Sequence, residues 1–192
     1  MRTKKIGVLA LQGSVEEHLH TLSQIEAAEG FPVRTKEELS HAEAIILPGG
    51  ESTTLRKLLR EFELEDPLRR RITGGMPVWG TCAGMILLAR EVEGGESTLS
   101  VMDISVRRNA YGRQSDSFSA EAVIPEVSPS DPLRLVFIRA PWVERVWGDA
   151  HILCEVGGHI AAVRQHNMLA TSFHPELTNS TAFHRYFLSL LP

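Results

Sequence analysis

The chain has 192 residues, of which 43% are hydrophobic and 23% charged, which is an ordinary composition for a soluble globular protein of one domain, here residues 1–192. The net charge of −4 and the lack of any run near the ~20 apolar residues of a membrane helix give no reason to expect a nucleic-acid or membrane partner. Two cysteines, Cys82 and Cys154, are too few for a disulfide scaffold, so we expect free thiols and a cytoplasmic enzyme.

The first half of the chain predicts short buried strands that alternate with helices. Ser14 and Glu17 match a capping box, so a helix is expected to begin after Ser14, and Gly30 is expected to end it. Strands are predicted at residues 6–11, 33–35, 44–47 and 78–81, and further helices from about Thr53, from Asp66 and over 85–90. This alternation indicates a parallel sheet with helices on both of its faces.

The second half is rich in strand patterns, and Gly157-Gly158 predicts a tight hairpin turn between two of them. The predicted strands are 104–108, 118–124, 133–139, 152–156, 160–164 and 168–173, followed by a helix over about 181–190. The expected fold class is therefore α/β, a three-layer open and mostly parallel sheet with helices on both faces and an antiparallel extension.

The segment Gly80-Thr81-Cys82-Ala83-Gly84 matches the nucleophile-elbow pattern, with cysteine in place of serine. A nucleophile on a sharp strand-to-helix turn needs small residues two positions away on both sides, and both are glycine here. The N-terminus of the following helix favours a thiolate, and the backbone N–H of Ala83 is placed to bind an oxyanion. The alternative is a buried structural cysteine between two helix-breaking glycines.

A cysteine nucleophile needs a base, and the base needs a group that orients it. His174 ends a predicted strand and begins His174-Pro175-Glu176, where the proline fixes the chain so that Glu176 can reach one imidazole nitrogen while the other faces the thiol. An ordinary histidine at a strand-to-loop junction is the alternative. The other histidines, His18 and His184 among them, show no pattern of a catalytic or metal site, and Cys154 is expected to fill the core.

Together these motifs resemble the class I (triad) glutamine amidotransferases, and more narrowly the glutaminase subunits of pyridoxal 5'-phosphate synthase. The similar blocks are residues 9–13, 48–54, 80–84, 108–114, 116–118, 137–141 and 172–178, which extend over nearly the whole chain. The resemblance implies hydrolysis of L-glutamine to L-glutamate and ammonia, with no cofactor and no metal. It also implies a partner, a (β/α)8-barrel synthase subunit that receives the ammonia within a large hetero-oligomeric ring complex.

The resemblance further implies roles for individual residues. Cys82 would be the nucleophile, and His174 and Glu176 would complete the triad. The residues expected to contact glutamine are Gly50, Glu51, Ser52, Arg108, Ile138 and Arg139, and the oxyanion is expected to lie against the backbone amides of Gly50 and Ala83. Without the resemblance, Arg108 reads as an exposed strand charge and Glu51 as a first-turn helix acid.

Three other functions stay open from the sequence. The chain is compatible with the glutaminase of another biosynthetic amidotransferase, with a cysteine-peptidase-like member of the same fold, and with a catalytically inactive binding module. The intact set of Cys82, His174 and Glu176 argues against the binding module.

Overall fold

The computed structural model describes residues 2–110 and 117–192. Within these residues, one sheet contains ten strands and a separate ribbon contains two, β7 and β8. The strands are β1 (Lys4–Leu9), β2 (Ala28–Val33), β3 (Ala44–Leu47), β4 (Val78–Thr81), β5 (Ala89–Glu93), β6 (Met102–Arg107), β7 (Ser117–Ile124), β8 (Ser128–Ile138), β9 (Trp142–Val146), β10 (His151–Val156), β11 (His159–Gln165) and β12 (Met168–Thr171).

Five strands at one side of the large sheet pair in parallel, in the order β2-β1-β3-β4-β12. From β12 onward the pairing is antiparallel through β11 and β9 to β6, while β10 pairs with β11 and β5 runs parallel to β6. The predicted fold class, an open α/β sheet with an antiparallel extension, is therefore confirmed.

The helices cover both faces of the sheet because side chains of successive strand residues point in opposite directions. On β3, Ile45 and Leu47 pack on one side and Ala44 and Ile46 on the other. Helices α2 to α5 cover the first side, and α1 and α6 cover the second, together with the β7-β8 ribbon. The helices are α1 (Val15–Ser23), α2 (Lys36–His41), α3 (Ser52–Glu61), α4 (Glu65–Thr73), α5 (Ala83–Leu88) and α6 (Ala182–Ser189). None of them, within the described residues, has the length and apolarity that a membrane crossing requires.

The region between α1 and β2 differs from its prediction. The helix ends at Ser23, and Gly30 lies inside β2 instead of ending the helix, while only Val33 of the predicted strand 33–35 belongs to β2. Parallel pairing of β2 with β1 along its whole length outweighs the helical spacing of the apolar residues. A Cβ on Gly30 would lie 2.8 Å from Leu22 Cδ1, so this glycine lets α1 pack closely on the strand.

Three short elements, α2, β5 and β9, are absent from the sequence predictions. The signal for α2 is present, since Thr35 and Glu38 form a complete capping box at its start. Strands β5 and β9 are held by pairing with β6, a long-range contact that leaves no local pattern. The predicted hairpin at Gly157-Gly158 does join β10 and β11, and both glycines have positive φ, +60° and +80°.

The packing of α6 on the sheet leads to a stability prediction. Phe187 is fully buried, and its ring centroid lies 5.7 Å from that of Trp79 on β4. We expect Phe187→Ala to lower the free energy of unfolding by about 3–5 kcal/mol, measured by equilibrium urea denaturation, because it leaves a cavity in the core. Phe62→Ala is the matched control, since Phe62 is 48% exposed, and an equal loss in both variants would contradict the assigned packing.

Candidate active site

The loops that follow strands β1, β3, β4 and β12 meet at one edge of the sheet. Carboxyl ends of parallel strands share an edge, and ligands of open α/β sheets bind in the crevice there. A cavity of about 600 Å³ lies at this edge. It is lined by nine of the ten residues predicted for the site, namely Gly50, Glu51, Ser52, Cys82, Ala83, Arg108, Ile138, Arg139 and His174. The tenth, Glu176, is buried and hydrogen-bonded to His174.

Cys82 lies on a sharp turn between β4 and α5, with φ of +50° and ψ of −107°, a conformation that residues other than glycine rarely adopt. Its backbone N–H donates to Thr171 O over 2.8 Å, which ties the turn to β12. A Cβ on Gly80 would lie 2.4 Å from the carbonyl carbon of Gly84, and a Cβ on Gly84 would lie 2.0 Å from Leu47 O. Both glycines of the motif are therefore required by backbone contacts around the turn.

His174 contacts both Cys82 and Glu176. Its Nδ1 lies 2.6 Å from Glu176 Oε1, and its backbone N–H donates to Val136 O over 2.8 Å. The short 3-10 turn Pro175–Leu177 brings the carboxylate back towards the ring. Burial lowers the pKa of His174, but hydrogen bonds with Cys82 and Glu176 outweigh burial and raise that pKa to about 10. The imidazole is thus placed to exchange a proton with the sulfur.

The Glu176 carboxylate is held in its ionised form although it is buried. Burial alone would raise its pKa, but the neighbouring His18 and hydrogen bonds donated by His174 and Ser14 lower the pKa to about 2. An ionised carboxylate at this position fixes the imidazole tautomer and stabilises the imidazolium.

Glu51 and Arg108 form one unit at the side of the cavity. Glu51 is the N-cap of α3, and its carboxylate accepts hydrogen bonds from the backbone N–H groups of Thr53 (3.0 Å) and Thr54 (2.8 Å). Arg108 Nη2 lies 3.5 Å from Glu51 Oε1 and 3.2 Å from Thr53 Oγ1. Arg108 follows the end of β6 and lines the cavity, whereas the preceding Arg107 is the exposed strand charge.

Ile138 and Arg139 stand at the end of β8, opposite the elbow. The Cys82 thiol lies 3.8 Å from Ile138 O, and Arg139 has φ of +44°. Both residues line the cavity. The similar sequence blocks 108–114 and 116–118 include residues 111–114 and 116, which lie outside the described part of the chain.

Gly49 packs directly against His174 and Cys82, and Gly13 of the neighbouring loop packs against Gly49. A Cβ on Gly49 would lie 2.3 Å from His174 Cε1, and a Cβ on Gly13 would lie 1.7 Å from Gly49 O. Gln12 Oε1 accepts a hydrogen bond from the backbone N–H of Glu51 over 2.9 Å. The turn after β1 is therefore fastened to the loop that lines the cavity.

Three residues behind the triad have no role in the site predicted from the sequence: Ser14, His18 and His184. Ser14 Oγ donates to Glu176 Oε1 over 2.8 Å and makes no cap, so the predicted capping box is wrong. Its ψ of 55° lies outside the extended region that an N-cap needs. His18 Nε2 lies 3.5 Å from Glu176 Oε2, and His18 Nδ1 lies 3.0 Å from His184 Nε2. The sequence predicts no role in the site for either histidine, although the spacing of four between Ser14 and His18 places both on one face of a helix and is a usable signal.

Comparison with known proteins places this geometry in a family. The model of the SNO glutamine amidotransferase family matches residues 8–191. A protein named pyridoxal 5'-phosphate synthase subunit PdxT from Ruminiclostridium cellulolyticum is 52% identical over 189 residues, 98% of this chain and 100% of the relative. A protein of the same name from Streptomyces coelicolor is 53% identical over 192 residues, 98% of this chain and 94% of the relative.

Solved structures agree with the sequence relatives. A crystal structure described as a glutamine amidotransferase superposes with a TM-score of 0.90 at 44% identity, over 96% of this chain and 97% of the other. The PurLQS structure from Thermotoga maritima superposes with a TM-score of 0.71 at 16% identity, over 98% and 99% of the two chains, which is a likeness in fold alone. With a family model that matches almost its whole length and relatives that share half of its residues, this chain belongs to the SNO glutamine amidotransferase family.

Proposed function

We propose that this chain is the glutaminase subunit of a pyridoxal 5'-phosphate synthase. It hydrolyses L-glutamine to L-glutamate and ammonia, and the ammonia passes to a synthase subunit. The observation that carries the proposal is the contact of His174 with both Cys82 and Glu176 at the cavity of about 600 Å³. The names of the relatives support the choice of pathway.

The chemistry is acyl transfer through a thioester. The Cys82 thiolate attacks the side-chain amide carbon of glutamine, and the new C–S bond turns the carbonyl oxygen into an oxyanion. His174 gives its proton to the nitrogen as the C–N bond breaks, and ammonia leaves. Water then loses a proton to His174 and attacks the γ-glutamyl thioester, which releases glutamate and returns the thiolate. Glu176 stabilises the imidazolium at both stages.

The oxyanion is assigned to the backbone amides of Ala83 and Gly50. Ala83 is the first residue of α5, so its N–H has no acceptor within the helix, which supports this role. Gly50 lines the same cavity, in the loop after β3. Donors fixed in place before the reaction stabilise developing charge without reorganisation.

The α-carboxylate and the α-ammonium group of glutamine match the opposite charges of Arg108 and Glu51 at the side of the cavity. We assign the α-carboxylate to Arg108, whose planar guanidinium binds carboxylates in two places, and the α-ammonium to Glu51. Ser52, Ile138 and Arg139 complete the pocket around the substrate.

The partner in this proposal is a barrel-shaped synthase subunit within a large hetero-oligomeric ring complex. The word subunit in the names of the relatives supports an assembled enzyme. Ile138 and Leu177 also support it, because these apolar side chains line the cavity and are 40% and 41% exposed. A docked partner at this rim would cover them, and we expect glutaminase activity to rise on docking.

The first test removes the sulfur. Cys82→Ala is expected to abolish ammonia release from glutamine in the presence of the synthase subunit, while the folded structure persists in circular dichroism. Cys154→Ala is the matched control, because burial raises the pKa of the Cys154 thiol to about 12 and it lies outside the cavity. Ammonia release by Cys82→Ala at the normal rate would overturn the proposal, and activity without pyridoxal phosphate formation would indicate another pathway.

The second test concerns substrate binding. Arg108→Ala is expected to raise KM for glutamine by about 10- to 100-fold, because a charge-assisted hydrogen bond of roughly 1.5–3 kcal/mol is lost. Steady-state ammonia release measures the change. Arg107→Ala is the control, since this neighbouring arginine points to Glu93 and away from the cavity. An equal KM in the two variants would exclude Arg108 from the substrate site.

A further inference from the structure

The second oxygen of the triad carboxylate is the starting observation. Glu176 Oε1 accepts hydrogen bonds from Ser14 and His174, but Oε2 is fully buried and makes no hydrogen bond of normal length within the described residues. A buried carboxylate oxygen without a donor is costly. His18 Nε2, at 3.5 Å, faces this oxygen.

His18 is held in place from several directions beneath the triad. It is fully buried on α1, and its ring meets the Trp79 ring edge-on at 5.6 Å and 80°. Its Nε2 lies 3.3 Å from Thr81 Oγ1, next to the nucleophile in sequence, and its Nδ1 lies 3.0 Å from His184 Nε2 on α6. A chain of contacts therefore connects the last helix with the carboxylate.

Burial lowers the pKa of His18 although the nearby Glu176 carboxylate opposes the shift, and burial lowers the pKa of His184 to about 3. Burial therefore favours the neutral form of both rings. The titratable groups that act on His18 are Glu176, His174 and His184, with Glu17 on its own helix.

A neutral imidazole has one N–H and one lone pair, so the two rings have two possible arrangements. If His18 donated to His184, its Nε2 lone pair would face the carboxylate, and the partnerless Nδ1 of His184 would carry a buried proton. If His184 donates to His18, the His18 Nε2–H points at Glu176 Oε2 and Thr81 Oγ1, and His184 Nδ1 is only an unused acceptor. The second arrangement avoids both the lone-pair repulsion and the orphaned N–H.

We infer that His18 is a positioning residue for the glutaminase reaction proposed above, holding the second oxygen of Glu176 through its Nε2–H, with His184 fixing its tautomer from behind. The carboxylate plane is then locked, so that Oε1 stays aimed at His174 Nδ1. His174 in turn keeps its Nε2 for the sulfur. This inference rests on the proposed function for the identity of the reaction. The contacts that support it are contacts of the triad and do not depend on the substrate.

Two substitutions at the same position test the inference. His18→Gln keeps a donor near the place of Nε2, whereas His18→Asn keeps a polar group near Nδ1 and loses the donor to Glu176. With the synthase subunit present, His18→Asn is expected to lower kcat about tenfold with KM nearly unchanged, and His18→Gln is expected to recover most of that loss. His20→Asn is the control, an exposed histidine on the same helix.

The rate of Cys82 alkylation by iodoacetamide in the free full-length chain gives a second readout that needs no glutamine. It is expected to fall in His18→Asn and to recover in His18→Gln. Equal kcat and equal alkylation rates in wild type and His18→Asn would overturn the inference. It would also be overturned if His18→Asn and His18→Gln lost the same share of kcat and of alkylation rate, in proportion to their loss of thermal stability. If wild type releases no ammonia but these alkylation rates differ as expected, the proposed function fails and the positioning role stands. Should His18→Asn fail to fold, His184→Phe carries the test, with a fall in kcat and alkylation expected and unchanged values contradicting it.

Discussion

The close approach of α5 to β3 and β4 is the constraint on which the site depends. Leu47 O and the backbone of Gly84 lie so near each other that no side chain fits at residue 84, and Gly80 is equally crowded by the same helix. That crowding forces the chain to reverse between strand and helix within one residue, Cys82. The cost of its left-handed backbone is offset by the packing around it, as expected for strain at a reactive position.

The other parts of the site lie next to this turn. The N–H of Cys82 bonds to Thr171 at the end of β12, so the strand that leads to His174 is fastened beside the strand that leads to the sulfur. The loop after β3 reaches the same edge. A side chain at position 49 of this loop would collide with the His174 ring, so Gly49 is needed there. The parallel sheet thus brings together loops that are distant in sequence, because each of them follows the carboxyl end of a neighbouring strand.

The parts of the molecule that are predictable from sequence are the ones with local signatures. Strands β3 and β4 match their predicted bounds, 44–47 and 78–81, because short apolar runs ended by Pro-Gly-Gly or by the elbow leave little freedom. His174-Pro175-Glu176 is local as well, and its 3-10 turn returns the carboxylate to the ring. The structure brings these groups together at one cavity with the residues suggested by the family resemblance.

What escapes sequence reading is the support behind the triad. Ser14 matches a capping box in sequence, but in the fold its hydroxyl donates a hydrogen bond to the Glu176 carboxylate instead. His18 and His184 come from opposite ends of the chain, and only the stacking of α1 and α6 on one face of the sheet makes them neighbours. The pairing of His18 with His184 depends on tertiary packing, for which neither spacing nor propensity leaves a trace.

The place of β12 has a kinetic meaning. β12 is the last strand of the sheet along the sequence, yet it lies at the centre of the sheet, between β4 and β11. Contacts between segments so distant in sequence form slowly, since a long stretch of chain must close before any of them stabilises the fold. The imidazole lies beside the sulfur only when β12 is paired with β4, so a chain without this pairing has a cysteine that lacks its base. Pairing of β12 with β4 is therefore a precondition for a reactive Cys82.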